Sequence, residues 1–410
     1  MSTLKVGGIR GVSASSDAIT VANAGTCTAN ITSVGGAQLS NRNLCINGAD
    51  MMVAQRGTST TGLQNAGGIF TIDRFSHRRN GTWSNAQFKH EQVDSGTGLF
   101  KKALKVTCTT AEGSVPAGDE GVFIGHYLEK QDTVAAFGDG SAEAKSFTIS
   151  FYVKASIATT YVLHLTTHHL STNKLIYKTF VVNSADTWER KTITFPAITN
   201  SISTLDGTVA DNAMGYQIHW ILDSAPGTKA VDTYQSGTGT YQMPTGVATT
   251  GFSNTLNATF QLSGVQIEAG TVATDLEHRS LAQELALCQR YFYAHSGQGV
   301  NGSTPNPAPD TNINTASCQS TSGVSWNLPL PVPMRTVPSI SSTVTGSTRY
   351  RLNSAGANTN SGSDPTLNTV LSTHNVVSGD LGGFSGLSAG QAGNVRRYQG
   401  TGILGFSAEL

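Results

Sequence analysis

Charge is what this chain has least of. Asp, Glu, Lys and Arg make up only 13% of its 410 residues, about half the usual share for a soluble globular protein. The signs balance, 26 acidic against 26 basic, and basic clusters are short: Arg74 with Arg78 and Arg79, or Arg396 with Arg397. That argues against nucleic acid as a partner, which would call for a basic patch. Long apolar runs are missing too, so no membrane insertion is expected. The start, Met1 to Gly8, lacks the charged-then-apolar layout of a signal peptide. Synthesis in a cytosol is the expectation. Cysteine is sparse and odd in number: Cys27, Cys45, Cys108, Cys288 and Cys318. None pair at zinc-knuckle spacing, so free, partly buried thiols are expected. No His-Glu-x-x-His or P-loop motif occurs.

Abundant instead are glycine, 45 residues, and Ser, Thr and Asn. Neutral hydroxyls and amides must then face water. The 38% of apolar residues fall in alternating runs, which can bury a core and argue against disorder. Residues 1–40 are extended and polar, a segment that could bury a core only by association with copies of itself. Residues 41–273 form a lead-in and a sandwich. Asn43 to Gly48 reads as a strand ending at an Asn-Gly turn. Phe147, Ile149, Phe151 and Val153 share one face of a strand. Runs around Leu104, Tyr161, Tyr177, Arg190, Tyr216 and Phe260 repeat the pattern, with polar turns between them. Short strands at this spacing predict two packed antiparallel sheets.

Residues 274–293 change period. Leu281, Leu285, Cys288 and Phe292 recur at helical steps after a capping Ser280, a stripe that can meet the sandwich or symmetry mates. Residues 294–318 read as a Gly/Ser/Asn/Pro linker, and 319–410 as a C-terminal β domain with loops over 353–395.

Candidate chemistry is thin. His164 and His168 share a strand face beside His169, a conceivable metal pair, but no Asp or Glu lies nearby in sequence and surface or satisfied polar histidines are the favoured reading. Asp50, Asp73, Asp119 and Glu129 could supply a glycosidase pair, yet no spacing joins two of them. No catalytic residue, metal ligand or cofactor is assigned. Aromatics outside the strongest runs can stack on sugars: Trp83, Tyr234, Tyr241, Tyr293 and Tyr398, with Tyr350 at the end of a strand. Core or inter-subunit packing is the alternative for each. Trp83, Tyr350 and Tyr398 are taken as receptor-binding candidates.

Phe260 to Gly270 with Ala273, Thr274 and Glu277 to Arg279 closely resembles the strand that closes a jelly-roll module of phage tail-fibre proteins. Glu284 to Phe292, Pro333-Met334-Arg335 with Pro338, and Ser407 to Leu410 fit the same likeness, as do Asn43 to Gly48, Gln55-Arg56-Gly57 and Asp73-Arg74-Phe75. Ser146 to Lys154 and Thr187 to Arg190 look like inner strands of that module, which is similar to carbohydrate-binding jelly rolls. The resemblance implies a mainly β homotrimer with Leu281, Leu285, Cys288 and Phe292 at its contacts. It also implies an N-terminal segment docked on tail adaptor or nozzle proteins, and a distal end that attaches the virion to a host-surface glycan. The competing readings are a polysaccharide-depolymerising tailspike and a purely structural head fibre or tail connector.

Overall fold

The computed structural model of the chain describes residues 8–9, 19–21, 27–29, 33–34, 37–38 and 43–410, the last span without 238–240, 297–311, 343, 345–348, 355–356, 369–370 and 398–401. It divides into two compact units, 1–42 and 43–410. In the first, β1 (Gly8–Ile9), β2 (Ile19–Val21) and β3 (Cys27–Ala29) make an antiparallel sheet, and β4 (Ser33–Val34) pairs with β5 (Ala37–Gln38).

The second unit is mainly β. Its sandwich consists of β6 (Ser59–Leu63), β7 (Ser76–Asn80), β8 (Gln87–Asp94), β9 (Lys102–Thr110), β10 (Gly121–Glu129), α1 (Lys130–Phe137), β11 (Phe147–Ala155), β12 (Thr160–Thr167), β13 (Lys174–Val181), β14 (Glu189–Phe195), β15 (Met214–Ser224), β16 (Gln235–Ser236) and β17 (Thr259–Ala269). These strands form two six-stranded antiparallel sheets, in the orders β16-β13-β12-β15-β10-β7 and β14-β11-β17-β9-β8-β6. The alternation read from the sequence sets the inner faces. Phe147, Ile149, Phe151 and Val153 meet Tyr216, Ile218, Trp220 and Leu222 in one buried core. Phe151 stands edge-on to Trp220 with centroids 5.7 Å apart, and Phe137, Phe147 and Phe195 stack in series. Side chains of this size, fully buried, contribute about 1.5–3 kcal/mol each.

Five sandwich strands, β6, β7, β8, β10 and β16, lie outside the alternating runs. β10 is buried along its whole length, and a strand covered on both faces loses its period-two signature. β7 is polar, Ser-His-Arg-Arg-Asn. α1 was not foreseen either; it ends on Gly138 in the left-handed region.

The segment from Asn43 to Gly48 is not a strand; it is a loop laid against β17. Asn43 Oδ1 accepts from Cys45 N and Ile267 N, while Val265 N donates to Gly48 O at 3.0 Å. Gly264 sits at a bulge in β17 opposite Ser150 and Tyr152, with φ +57°. A Cβ there would lie 2.6 Å from the Tyr152 ring. Gly264→Ala is therefore expected to cost about 2 kcal/mol, combining backbone strain with a clash; a thermal midpoint unchanged from the parent would contradict this.

α2 (Leu281–Gln289) begins with a complete capping box between Ser280 and Gln283. Beyond it come β18 (Phe292–Ser296), β19 (Asn312–Cys318), β20 (Val324–Pro329), β21 (Ser339–Ser342), β22 (Tyr350–Ser354), β23 (Ala357–Ser361), β24 (Thr366–Leu367), β25 (Val376–Leu381), β26 (Ala392–Arg397) and β27 (Leu404–Ser407). They form a three-stranded sheet, β18-β27-β21, and a seven-stranded sheet, β23-β22-β26-β19-β20-β25-β24. Two expectations change here. The predicted linker contributes β18 and the central strand β19, with 297–311 outside the described residues. The predicted loop region 353–395 carries strands. Their inward residues Leu352, Val377, Leu381 and Val395 are buried, but Asn, Ser and Gly around them mask the pattern.

The motifs quoted for the resemblance converge on one buried charge network. Glu129, with no exposed side-chain surface, accepts both Arg290 Nε and Nη2, at 2.7 and 2.8 Å, and also the Tyr291 hydroxyl. Arg74, fully buried, reaches Glu409 and the Tyr127 carbonyl and stacks 3.5 Å from the Tyr291 ring. Arg56 stacks on Phe292 and meets Glu409 at 3.1 Å. Arg335 donates to the carbonyls of Ala408 and Glu409, each at 2.7 Å, and to that of Asn212. This network joins sandwich, helix and C-terminal sheets.

Candidate functional site

The outer face of the β16-to-β7 sheet carries the densest cluster of rings and hydrogen-bonding groups not consumed by the core. Strand register builds it in rows. Tyr177, His164, His219, Gly125 and Ser76 lie across β13, β12, β15, β10 and β7. Leu175, Thr166, Gln217 and Tyr127 form the row on one side. Thr179, Val162, Ile221, Phe123 and Arg78 form the row on the other. Gly125 makes room for the middle of the site. A Cβ there would stand 2.6 Å from Ser76 Oγ and 2.8 Å from Tyr127 Oη, which now hydrogen-bond each other at 3.0 Å.

A third layer crosses this face. Phe123, Val162, Leu175, Tyr177 and Ile221 would be apolar in water, and Met243, Val231, Tyr241 and Val247 cover them. The covering segment is fastened by Gly227 N to Met243 O, Met243 N to Ala225 O and Asp232 N to Tyr177 O, at 2.7–2.8 Å. Tyr241 is its half-buried tip. Its ring stands edge-on over His164 and His219, with centroids 5.6 and 5.0 Å away, and its hydroxyl donates to Gln217 Oε1 at 3.1 Å.

The floor beneath Tyr241 is uncharged. Burial, then neighbouring His168, holds His164 down to about 3, and burial with the His164 charge holds His219 well below the usual imidazole range. Neither ring nitrogen of His219, nor Nδ1 of His164, has a hydrogen-bond partner. Buried polar atoms of this kind are normally satisfied, and these three are left without a partner in rings that lie against Tyr241. Among the described residues, no group of three or more His, Cys, Asp or Glu side chains is placed to hold a metal ion. The face is suited to hydrogen bonding and ring stacking on a neutral, hydroxyl-rich molecule.

The residues singled out from sequence distribute differently. Trp83 is 1% exposed and packs edge-on to Phe88 inside the sandwich, and Tyr350 is wholly buried in the C-terminal core. Neither ring offers a face to a receptor, which corrects both assignments: as large apolar rings they fill the core first. Tyr398 lies outside the described residues. Tyr234 and Tyr293 are half-buried and held in the fold, the first by its hydroxyl on Pro196 O at 2.8 Å, the second on Phe406. Tyr241 alone of these stands at the site.

The helical stripe faces inward. Cys288 packs with Ile46, Val53 and Tyr291, with Leu281 and Leu285 half-buried at its edge, and Phe292 is buried under Arg56. Cys288 and Phe292 are thus occupied within one chain, which corrects their assignment to a contact between copies. His169 turns away from His164 toward Asp139, 3.3 Å off. Asp73 and Glu129 are committed to the arginine network, while Asp50 pairs with His278 at 2.8 Å. Cys45, Cys108, Cys288 and Cys318 are free and buried, as expected. Gln217, Tyr127 and His219 escaped the sequence reading, because only strand register aligns them.

No family model and no curated protein sequence matches the chain. Similar solved structures include a family 11 carbohydrate-binding module from Clostridium thermocellum in complex with a β-1,3-1,4-mixed-linked tetrasaccharide, 14% identical with TM-score 0.26, covering 54% of this chain and 99% of that one. The tandem CBM22-1–CBM22-2 domain of Xyn10C from Paenibacillus barcinonensis is 10% identical with TM-score 0.25, covering 91% and 100%. The enzymatically active domain of bacteriophage CBA120 tailspike protein 4 is 9% identical with TM-score 0.27, covering 55% of this chain and 21% of that one. At these scores the likenesses carry no argument, and the fold assignment rests on the chain's own strands.

Proposed function

We propose that this chain is an attachment subunit, a phage tail fibre, whose sandwich holds a host-surface glycan on the outer face of the six-stranded β16-to-β7 sheet. The observation that carries the glycan reading is the uncharged floor of His164 and His219, with unpartnered ring nitrogens under the edge-on ring of Tyr241. Both imidazoles are fully buried beneath it, so the sugar would meet the half-buried Tyr241 ring at the surface of the covering layer. The tail-fibre reading rests on the residue likeness around Phe260 to Arg279 and Glu284 to Phe292. In it the chain acts as a homotrimer, docked on tail adaptor or nozzle proteins through residues 1–40. Three weak sites on one particle would then bind far more tightly than one.

The test is retention on host lipopolysaccharide or capsule. Tyr241→Ala should weaken binding roughly ten- to a hundredfold, the effect of removing one aromatic anchor. The fold should remain, since the ring lies in a covering layer and not in the main core. Full-strength binding by Tyr241→Ala would sink the site, and sedimentation at one chain's mass would sink the trimer.

A further inference from the structure

The outer-face site ends at β7 in a cleft of about 250 Å³ lined by Asn65, Gly67, Arg78, Arg79, Asn80 and Gly81. β7 is the edge strand of its sheet, paired with β10 and bridged at His77 to Gly68. Arg78 and Arg79 are adjacent in β7 and half-buried; strand alternation turns Arg78 to the outer face with Phe123 and Arg79 to the opposite face with Val122, and both line the cleft at the strand edge. Arg56, Arg74, Arg279, Arg290 and Arg349 each meet a carboxylate, whereas Arg335 is held by main-chain carbonyls and Arg351 by the Asn360 side-chain oxygen. Arg78 and Arg79 meet no carboxylate within 4.0 Å among the described residues. Arg79 spends one fork nitrogen on the Gly81 carbonyl, and Asp119 stands beside Gly81, exposed to solvent. Asn65 and Asn80 add amide donors to the same walls.

The cleft is continuous with the site already described. Arg78 follows Phe123 in strand register, its guanidinium lies 5.9 Å from the Tyr127 ring, and it reaches the Tyr241 hydroxyl. A guanidinium fork matches the planar oxygens of a carboxylate and the oxygens of a phosphate, and charge-assisted bonds of that kind are the strong ones. A ligand on the outer face that carried a negative group at one end would bring it to this pair.

We propose that Arg78 and Arg79, with Asn65 and Asn80, form a subsite for an anionic group, a uronate-type carboxylate or a phosphate, on the bound glycan. This rests on the outer-face reading for its location, though the anion site itself can be tested alone. Isothermal titration of the full chain with sodium glucuronate, glucose and inorganic phosphate separates the sources. Saturable millimolar binding of glucuronate without glucose assigns a carboxylate; binding of phosphate without glucuronate assigns a phosphate. Arg78→Gln with Arg79→Gln should weaken that binding about tenfold or more, and raising salt should weaken it further. Glycan retention is read separately on the parent chain, so the failure of one reading can be told from the failure of the other. No saturable binding of either anion, or binding that survives the double substitution, overturns the subsite and leaves the outer-face reading standing.

Discussion

Between pH 7 and pH 5 the sandwich should unfold, well above the range where carboxylates usually drive acid denaturation. The cause is a set of buried imidazoles. Burial holds His77, His126 and His164 down to about 3, with Arg79, Arg74 and His168 respectively as lesser contributors. Burial also takes His90 and His219 well below the ordinary value, assisted by His77 and His164. His77 Nδ1 and His90 Nε2 share one contact at 3.0 Å, and His126 lies against Phe75 and has no partner for either nitrogen. An imidazole with a depressed folded pKa binds fewer protons folded than unfolded. Its contribution is complete above the unfolded value of about 6.5 and is lost as pH falls toward the folded one. At pH 5 each such group costs about 2 kcal/mol, being 1.5 units below the unfolded value. Summed over the set this is about 10 kcal/mol, the size of a domain's entire net stability. Asp73 opposes it: burial raises its carboxyl to about 6, so protonation there favours the folded state, but a single group offsets only about 1 kcal/mol. Near-ultraviolet circular dichroism against pH should show the transition, and His126→Phe should move it to lower pH. A fold intact at pH 4 would refute the account.

Glu129→Ala should be the most damaging single substitution in the seam. It strands the Arg290 fork and the Tyr291 hydroxyl beside Arg74, whose own charge is fully buried. Removing one partner of a buried pair costs about 3–5 kcal/mol, most of it from the charge left behind. The thermal midpoint should fall on the order of 10 °C. Removing Arg290 as well should cost less than the sum of the two single changes, since the orphaned charge goes with it. A midpoint within about 2 °C of the parent, outside the scale expected from a buried pair, would show that the network is dispensable.

The resemblance motifs were legible in the sequence, but not what they do. Read in order, Gln55-Arg56, Asp73-Arg74, Arg290-Tyr291-Phe292, Arg335 and Glu409 carry the family likeness and give no sign of one another. In three dimensions they neutralise each other inside the seam. Trp83 and Tyr350 misled for a related reason: a ring outside a clean alternating run can still point into a core. Tyr241 was picked out among the candidate aromatics, while its partners on the sheet were not.

The order of amino acids by itself determined the β class, the inner faces of the main sandwich strands, the capped helix after Ser280 and the free cysteines. Each follows from local chemistry: a period of two, a hydroxyl three residues before an amide, and cysteines too far apart to suggest a metal site. Tertiary structure alone decided the strands β7 and β10, the third layer, and the meeting of Arg78, Tyr127, His164, Gln217, His219 and Tyr241 on one face. Residues 78, 127, 164, 217 and 241 come from separate elements, and no local signal records which strands will be neighbours. Register between distant strands, and the need to cover Phe123, Val162 and Ile221 from water, placed them together.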